Sequence, residues 1–152
     1  MAEDSILTPL QRQALDWVAD QRQLTDQFYL SGGTALAEFY LHHRLSEDLD
    51  FFSTEEFDPA IVTPIAQQLK RRLNGQSVQL EQRFNRNIVL LTKDDETLKL
   101  EFSWFVGVPI DEGVRYRSLR IDSERDIAVN KLFTIYQRPR SRDYIDLYLL
   151  MT

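Results

Sequence analysis

From Thr8 to about Gln23 the apolar residues Leu15, Trp17 and Val18 form one stripe, with Thr8 placed as N-cap and Pro9 at the first helical position; the pattern predicts a helix. Residues 27–31, "QFYLS", read as a short strand, and over 34–43 Leu36, Phe39, Tyr40 and His43 recur at helical spacing. Alternation at 48–53 predicts a strand. Ile61, Ile65, Leu69 and Leu73 then keep a helical row that Asn74-Gly75 closes, and its start is open between two cap-then-proline pairs, Asp58-Pro59 and Thr63-Pro64. Three extended runs follow at 77–84, 87–93 and 97–105, with Asp94 to Glu96 suited to a hairpin turn. A loop from Gly107 to Gly113 leads to a strand near 116–121. Ser123 is placed to cap a helix over 124–137, Arg138-Pro139-Arg140 interrupts it, and Ser141 is placed to cap 142–151.

Helices alternating with strands, and then a meander, predict an α/β (α+β) domain: a mixed sheet flanked by helices. No repeat, low-complexity tract or linker breaks the chain, so residues 1–152 are expected to form one domain: an N-terminal helix (1–24), a core (25–121) and C-terminal helices (122–152). A chain of 152 residues buries roughly 68–70% of its unfolded surface, enough for a core without staples.

The absence of cysteine removes disulfides, thiolate metal sites and thiol catalysis. Two adjacent histidines, His42 and His43, are too few for a histidine-rich metal site, so a metal here would take carboxylate ligands and be a hard cation such as magnesium. The N-terminal stretch lacks the blocks of a signal peptide and no run of eighteen apolar residues occurs, so a cytoplasmic protein without a membrane partner is expected. A formal charge of −6 argues against a protein that coats nucleic acid, but leaves room for local basic tracks. Candidates are Lys70-Arg71-Arg72, the pair Arg83 and Arg86, and Arg138, Arg140 and Arg142; each also fits a plain solvated face.

In the run 48–53, Asp48 and Asp50 project to one side of the strand and Leu49 and Phe51 to the other. Two carboxylates one pleat apart repel, and a divalent cation would supply the missing charge; an exposed strand face is the competing explanation. In "TLKLEFSWF" the residues Leu98, Leu100, Phe102 and Trp104 share one face, while Lys99, Glu101 and Ser103 share the other. If this strand lies beside 48–53, three carboxylates converge, the oxygen set that one or two magnesium ions need when phosphates and water complete the shell. Strand order is not readable from one sequence, so a solvated glutamate remains the alternative. Gly32-Gly33-Thr34, between a strand and a helix, lets backbone approach a ligand closely, and Thr34 is placed to reach a phosphate or to cap the helix.

The stretch "GGTALAEFYLHHRLSEDLDFF" resembles the opening motif of the AbiEii/AbiGii nucleotidyltransferase toxins of abortive-infection and toxin–antitoxin systems, within the DNA polymerase β-like superfamily. "ERDIAVNKLFTIYQRPRSRDYIDLYLL" resembles the family's later motifs, a helical lysine and an R-D-x-x-D element, here Lys131 and Arg142-Asp143 with Asp146. The resemblance implies transfer of a nucleoside monophosphate from a nucleoside triphosphate (NTP) to a hydroxyl of a tRNA 3′ end or a protein. It implies Mg2+ (or Mn2+) on Asp48, Asp50 and Glu101, and catalytic roles for these three with Lys131 and Asp143. Nucleotide contacts would come from Gly32, Gly33, Thr34, Arg44, Ser46, Lys131 and Arg138, and an antitoxin is a possible partner. By spacing alone, Lys131 between Ile127 and Ile135 also reads as a snorkelling lysine, Arg142 and Asp146 as a surface pair at i+4, and His43 as a packed residue. Many relatives continue beyond the R-D-x-x-D helix. The alternative expectation is therefore an inactive or truncated member that binds a nucleotide or a partner. A D-x-D phosphatase fits less well, since it would want a small residue where Phe52 stands and would leave the glycine turn unexplained.

Overall fold

The computed structural model describes residues 4–105 and 107–152, so the first three residues of the expected 1–24 segment lie outside the described residues. Helix α1 (Pro9–Asp20) starts where expected: Thr8 accepts from the Gln11 backbone while the Gln11 side chain returns to Thr8, a closed capping box. The expected extension to Gln23 is a separate short turn, α2 (Arg22–Thr25), because Gln21 adopts extended backbone and ends α1. Strand β1 (Phe28–Ser31) runs directly into α3 (Gly32–Leu36), which loosens into a π-helical turn over Ala37–Leu41 and stops at left-handed His42. Strand β2 is Asp48–Ser53.

Both proline pairs contribute to the next helix. Asp58 caps a single 3-10 turn, Pro59–Ile61, that feeds α4 (Val62–Leu73), and left-handed Asn74 closes it. β3 (Ser77–Arg83), β4 (Arg86–Lys93) and β5 (Glu96–Trp104) form the expected meander. The strand expected at 116–121 is instead a hairpin, β6 (Val114–Tyr116) and β7 (Leu119–Ile121), because Arg117 turns the chain at φ 55°. The chain continues into α5 (Glu124–Gln137), capped by Ser123, and α6 (Ser141–Met151). Ser141 is the first helical residue of α6 and not its cap; Arg140 holds the cap position and makes no side-chain cap bond.

The seven strands form one mixed sheet in the order β3-β4-β5-β2-β1-β7-β6, with β2–β5 and β1–β7 parallel and the other pairs antiparallel. Leu49, Phe51, Leu100 and Phe102 line the covered face with α1 and α4; Phe51 and Phe102 stack at 5.2 Å, and Phe28 meets Phe102 edge-on at 5.3 Å. The opposite face of β2 and β5 carries Asp48, Asp50, Lys99 and Glu101 and looks toward α5 and α6. Helix α6 is inverted: it buries Asp143 and Asp146 and exposes Tyr144, Ile145, Tyr148 and Met151. Among the described residues no helix is long and apolar enough to cross a membrane.

Candidate functional site

Parallel pairing of β2 with β5 sets Asp48 opposite Lys99 and Asp50 opposite Glu101, so all three carboxylates share one face of the sheet. The adjacency on which their convergence depended therefore exists. They form one wall of a cavity of about 390 Å³, bounded by the β1–α3 turn and by α5 and α6. Gly32, Gly33, Arg44, Ser46, Lys131, Arg138 and Asp143 line the same cavity.

Thr34 is set apart. Its hydroxyl lies 2.7 Å from Ser46 Oγ and donates to the Asp48 carbonyl, and the residue is fully buried. This hydroxyl fixes the entrance of β2 from within. Gln11 fixes it from the other side, donating to the carbonyls of Ser46 and Glu47 at 2.7 and 3.0 Å. Buried polar groups need such partners, and here they position the loop that carries Arg44 and Ser46.

The glycine pair gives way to side chains of the site. Gly32 has φ +82°, and a Cβ there would lie 2.4 Å from Asp50 Oδ2. A Cβ on Gly33 would lie 2.3 Å from an Arg44 guanidinium nitrogen. Backbone without side chains is thus what lets Asp50 and Arg44 reach the turn.

Asp146 is the hub behind the cavity. Itself 0% exposed, it accepts from Arg44 Nε and Nη2 at 2.9 and 2.7 Å, lies 2.6 Å from His43 Nε2, and pairs with Lys131 Nζ at 2.7 Å. Against the cost of burial, these bonds from Arg44, His43 and Lys131 hold Asp146 well below the usual carboxylate range. The expected surface pair of Arg142 with Asp146 does not form, because α6 turns Asp146 inward toward Arg44, Lys131 and His43. Lys131 also donates to Asp143 Oδ1 at 2.8 Å, so its ammonium is held inside the protein, while Asp143 Oδ2 is buried without a hydrogen-bond partner.

The three carboxylates differ in company. Asp48 has Lys99 at 3.4 Å and Glu101 has Arg86 at 2.5 Å, whereas Asp50 has neither hydrogen bond nor ion pair among the described residues. Burial first, then the Glu101 and Asp48 charges, push Asp50 up to about 7. An all-oxygen donor set with one unpaired carboxylate in its middle suits a hard divalent cation. Among the described residues no three acidic or imidazole groups are yet gathered closely enough to enclose one.

Sequence reasoning missed several polar residues here. Arg86 stood out only as part of a possible basic track and Lys99 only as a face-mate of Glu101, because their carboxylate partners depend on strand order. Asn130, Ser31 and Asp122 form a buried group beside the glycine turn: Ser31 donates to Asp122 at 2.8 Å, and Arg120 reaches the other oxygen at 3.1 Å. Burial, ahead of the bonds that oppose it, pushes Asp122 up to about 6.

Residues 14–152 match the family described as "Nucleotidyl transferase AbiEii toxin, Type IV TA system". An uncharacterised protein of Aquifex aeolicus is 33% identical over 148 residues, covering 93% of this chain and 65% of its own length. The crystal structure of JHP933 from Helicobacter pylori is similar at 26% identity and a TM-score of 0.64, covering 93% of this chain and 62% of that one. The Megavirus polyadenylate synthase shares the fold at 14% identity and a TM-score of 0.58, over 93% of this chain and 30% of its own. The chain thus spans less than two thirds of the length of these relatives.

Proposed function

Because the chain belongs to the AbiEii family of nucleotidyl transferase toxins, we propose that it transfers a nucleoside monophosphate from an NTP to an acceptor hydroxyl, on a tRNA 3′ end or a protein. The observation that carries this reading is the charge of the cavity. In a chain of net charge −6, seven cations, Arg44, Arg86, Lys99, Lys131, Arg138, Arg140 and Arg142, surround a wall of three carboxylates. Such a site suits a polyanion held beside a divalent cation.

Asp48, Asp50 and Glu101 would hold Mg2+ or Mn2+. When bound, the cation would neutralise charge at the reacting phosphate and lower the acceptor hydroxyl's pKa. The chain's own residues supply the rest. Arg138, Arg140 and Arg142 have no ion pair among the described residues and are free to meet phosphate oxygens. Gly32 and Gly33 keep the turn open beside Asp50, and Ser46 offers a hydroxyl at the same wall. Lys131 and Arg44, fixed by Asp146, would supply positive charge at the cavity's base, and Asp143, whose buried Oδ2 has no partner, would be the group to accept a hydroxyl proton or hydrogen bond. An antitoxin partner and a cytoplasmic setting belong to the same reading.

The test is incubation with each labelled triphosphate, magnesium and total RNA, with Asp48→Ala and Lys131→Ala as controls. Label in RNA identifies base and acceptor together, label on the protein moves the reading to protein nucleotidylation, and equal label with Asp48→Ala refutes the metal assignment. A second reading, a nucleotide- or partner-binding module without turnover, draws on the exposed apolar row Tyr144, Ile145, Tyr148 and Met151 of α6. Binding of triphosphate with no transfer to any acceptor would favour it.

A further inference from the structure

Two of the three carboxylates each pair with a protein cation. Lys99 Nζ lies 3.4 Å from Asp48 Oδ2 and Arg86 Nε lies 2.5 Å from Glu101 Oε1. Both cations are set by register: Lys99 stands opposite Asp48 across β2–β5, and Arg86 faces Ser103, one same-face step from Glu101, across β4–β5. The two cations are 30% and 24% exposed and their carboxylates 23% and 12%, so both cations keep access to the cavity and to a ligand entering it.

We propose that Arg86 and Lys99 are resident counter-ions of the carboxylate wall, which hold Glu101 and Asp48 while no divalent cation is bound and leave them when cation and nucleotide arrive together. This rests on the nucleotidyl-transfer reading and adds to it a coupling between the two ligands. A divalent cation on these oxygens meets two like charges at close range, and repulsion disfavours it. A triphosphate removes the conflict by offering both displaced cations new anionic partners. Cation and nucleotide then favour each other's binding by the same factor.

Arg86 is the better placed of the two. Its charge, ahead of partial burial and Arg140, holds Arg138 below its ordinary value, so the two guanidiniums already crowd one another with Glu101 nearby. Released from Glu101, Arg86 joins Arg138 as a pair of planar donors suited to phosphate oxygens.

Calorimetric titration of Mn2+ into the protein, with and without a non-hydrolysable triphosphate analogue, tests this in wild type, Arg86→Gln, Lys99→Gln and Arg86→Lys. Without nucleotide, Arg86→Gln and Lys99→Gln should bind Mn2+ about tenfold more tightly than wild type and gain less from the analogue. Arg86→Lys, which keeps the charge, should behave as wild type. Equal or weaker Mn2+ binding by both glutamine variants, with wild type binding normally, overturns the inference and leaves the transferase reading standing. No Mn2+ binding by wild type even with the analogue removes both. A melting curve accompanies each variant, and if Arg86→Gln does not fold, Lys99→Gln decides alone.

Discussion

Arg44 grips Asp146 across 102 residues of chain, Nε to Oδ1 at 2.9 Å and Nη2 to Oδ2 at 2.7 Å. The two-point contact fixes a planar guanidinium against a fully buried carboxylate, and Lys131 and His43 complete it. Asp146 touches no open surface, yet it sets where two cations of the cavity stand.

Asp146→Asn should leave these cationic groups without their counter-charge and cost about 3–5 kcal/mol at neutral pH, read as a fall in the urea midpoint. The pH dependence has a definite sign. Because Asp146 is held below the usual range when folded, its stabilisation is present above the unfolded value of about 3.9 and is lost as pH falls through the lower folded value. The gap between wild type and Asp146→Asn should therefore narrow only below about pH 4.

Gly32→Ala and Gly33→Ala should part company. At Gly32 the substitution meets both a positive φ and Asp50, so it should lower stability by about 1–2 kcal/mol and abolish transfer. At Gly33 φ is not positive and the obstacle is the Arg44 nitrogen held by Asp146, so the turn should persist while that grip loosens and nucleotide affinity falls. Equal melting temperatures for both variants would contradict this.

Asp50→Asn should inactivate and stabilise at once. Burial, then the Glu101 and Asp48 charges, holds Asp50 up to about 7 when folded, so its ionisation costs the fold stability as pH rises from about 4 to 7, and the full cost stands above that. Removing it should raise the unfolding free energy by roughly 1–2 kcal/mol and lower transfer at least a hundredfold. A destabilised Asp50→Asn would show that the carboxylate has a structural partner instead.

Asp122→Asn isolates a different pH window. Its carboxyl is raised to about 6 when folded, so the folded state holds the proton more tightly and wild type loses stability as pH rises from about 4 to 6. The loss attributable to this group is at most about 3 kcal/mol, and the asparagine variant should lack it. Denaturant titrations at pH 4 and pH 7 give the comparison directly.

What the sequence disclosed follows the range of the interactions involved. Thr8-Pro9, the alternation at Asp48–Ser53 and the "DDE" turn act over a few residues, and each appears where its local chemistry puts it. The turn at Arg117 was missed because a non-glycine residue takes positive φ there without a local signal. Site residues were legible as types but not as pairs. Glu101 announced itself by standing polar between apolar neighbours. Its nearness to Asp50 depends on β5 lying beside β2, a pairing some fifty positions apart in the chain that no short-range pattern encodes. Asp146 was misread for the same reason, since an i+4 rule proposes Arg142 while the buried face of α6 selects Arg44 and Lys131.

The separation of Arg44 from Asp146 also has a consequence for the order of synthesis. A ribosome adding roughly 5–20 residues per second releases the aspartates of β2 early and completes the 102 residues between Arg44 and Asp146 only about 5–20 seconds later. Until then Arg44 and Lys131 have no common anchor, although Asp48, Asp50 and Glu101 are already in the nascent chain. The cationic side of the cavity is therefore set only once α6 has been made and has folded back against the residues that precede β2.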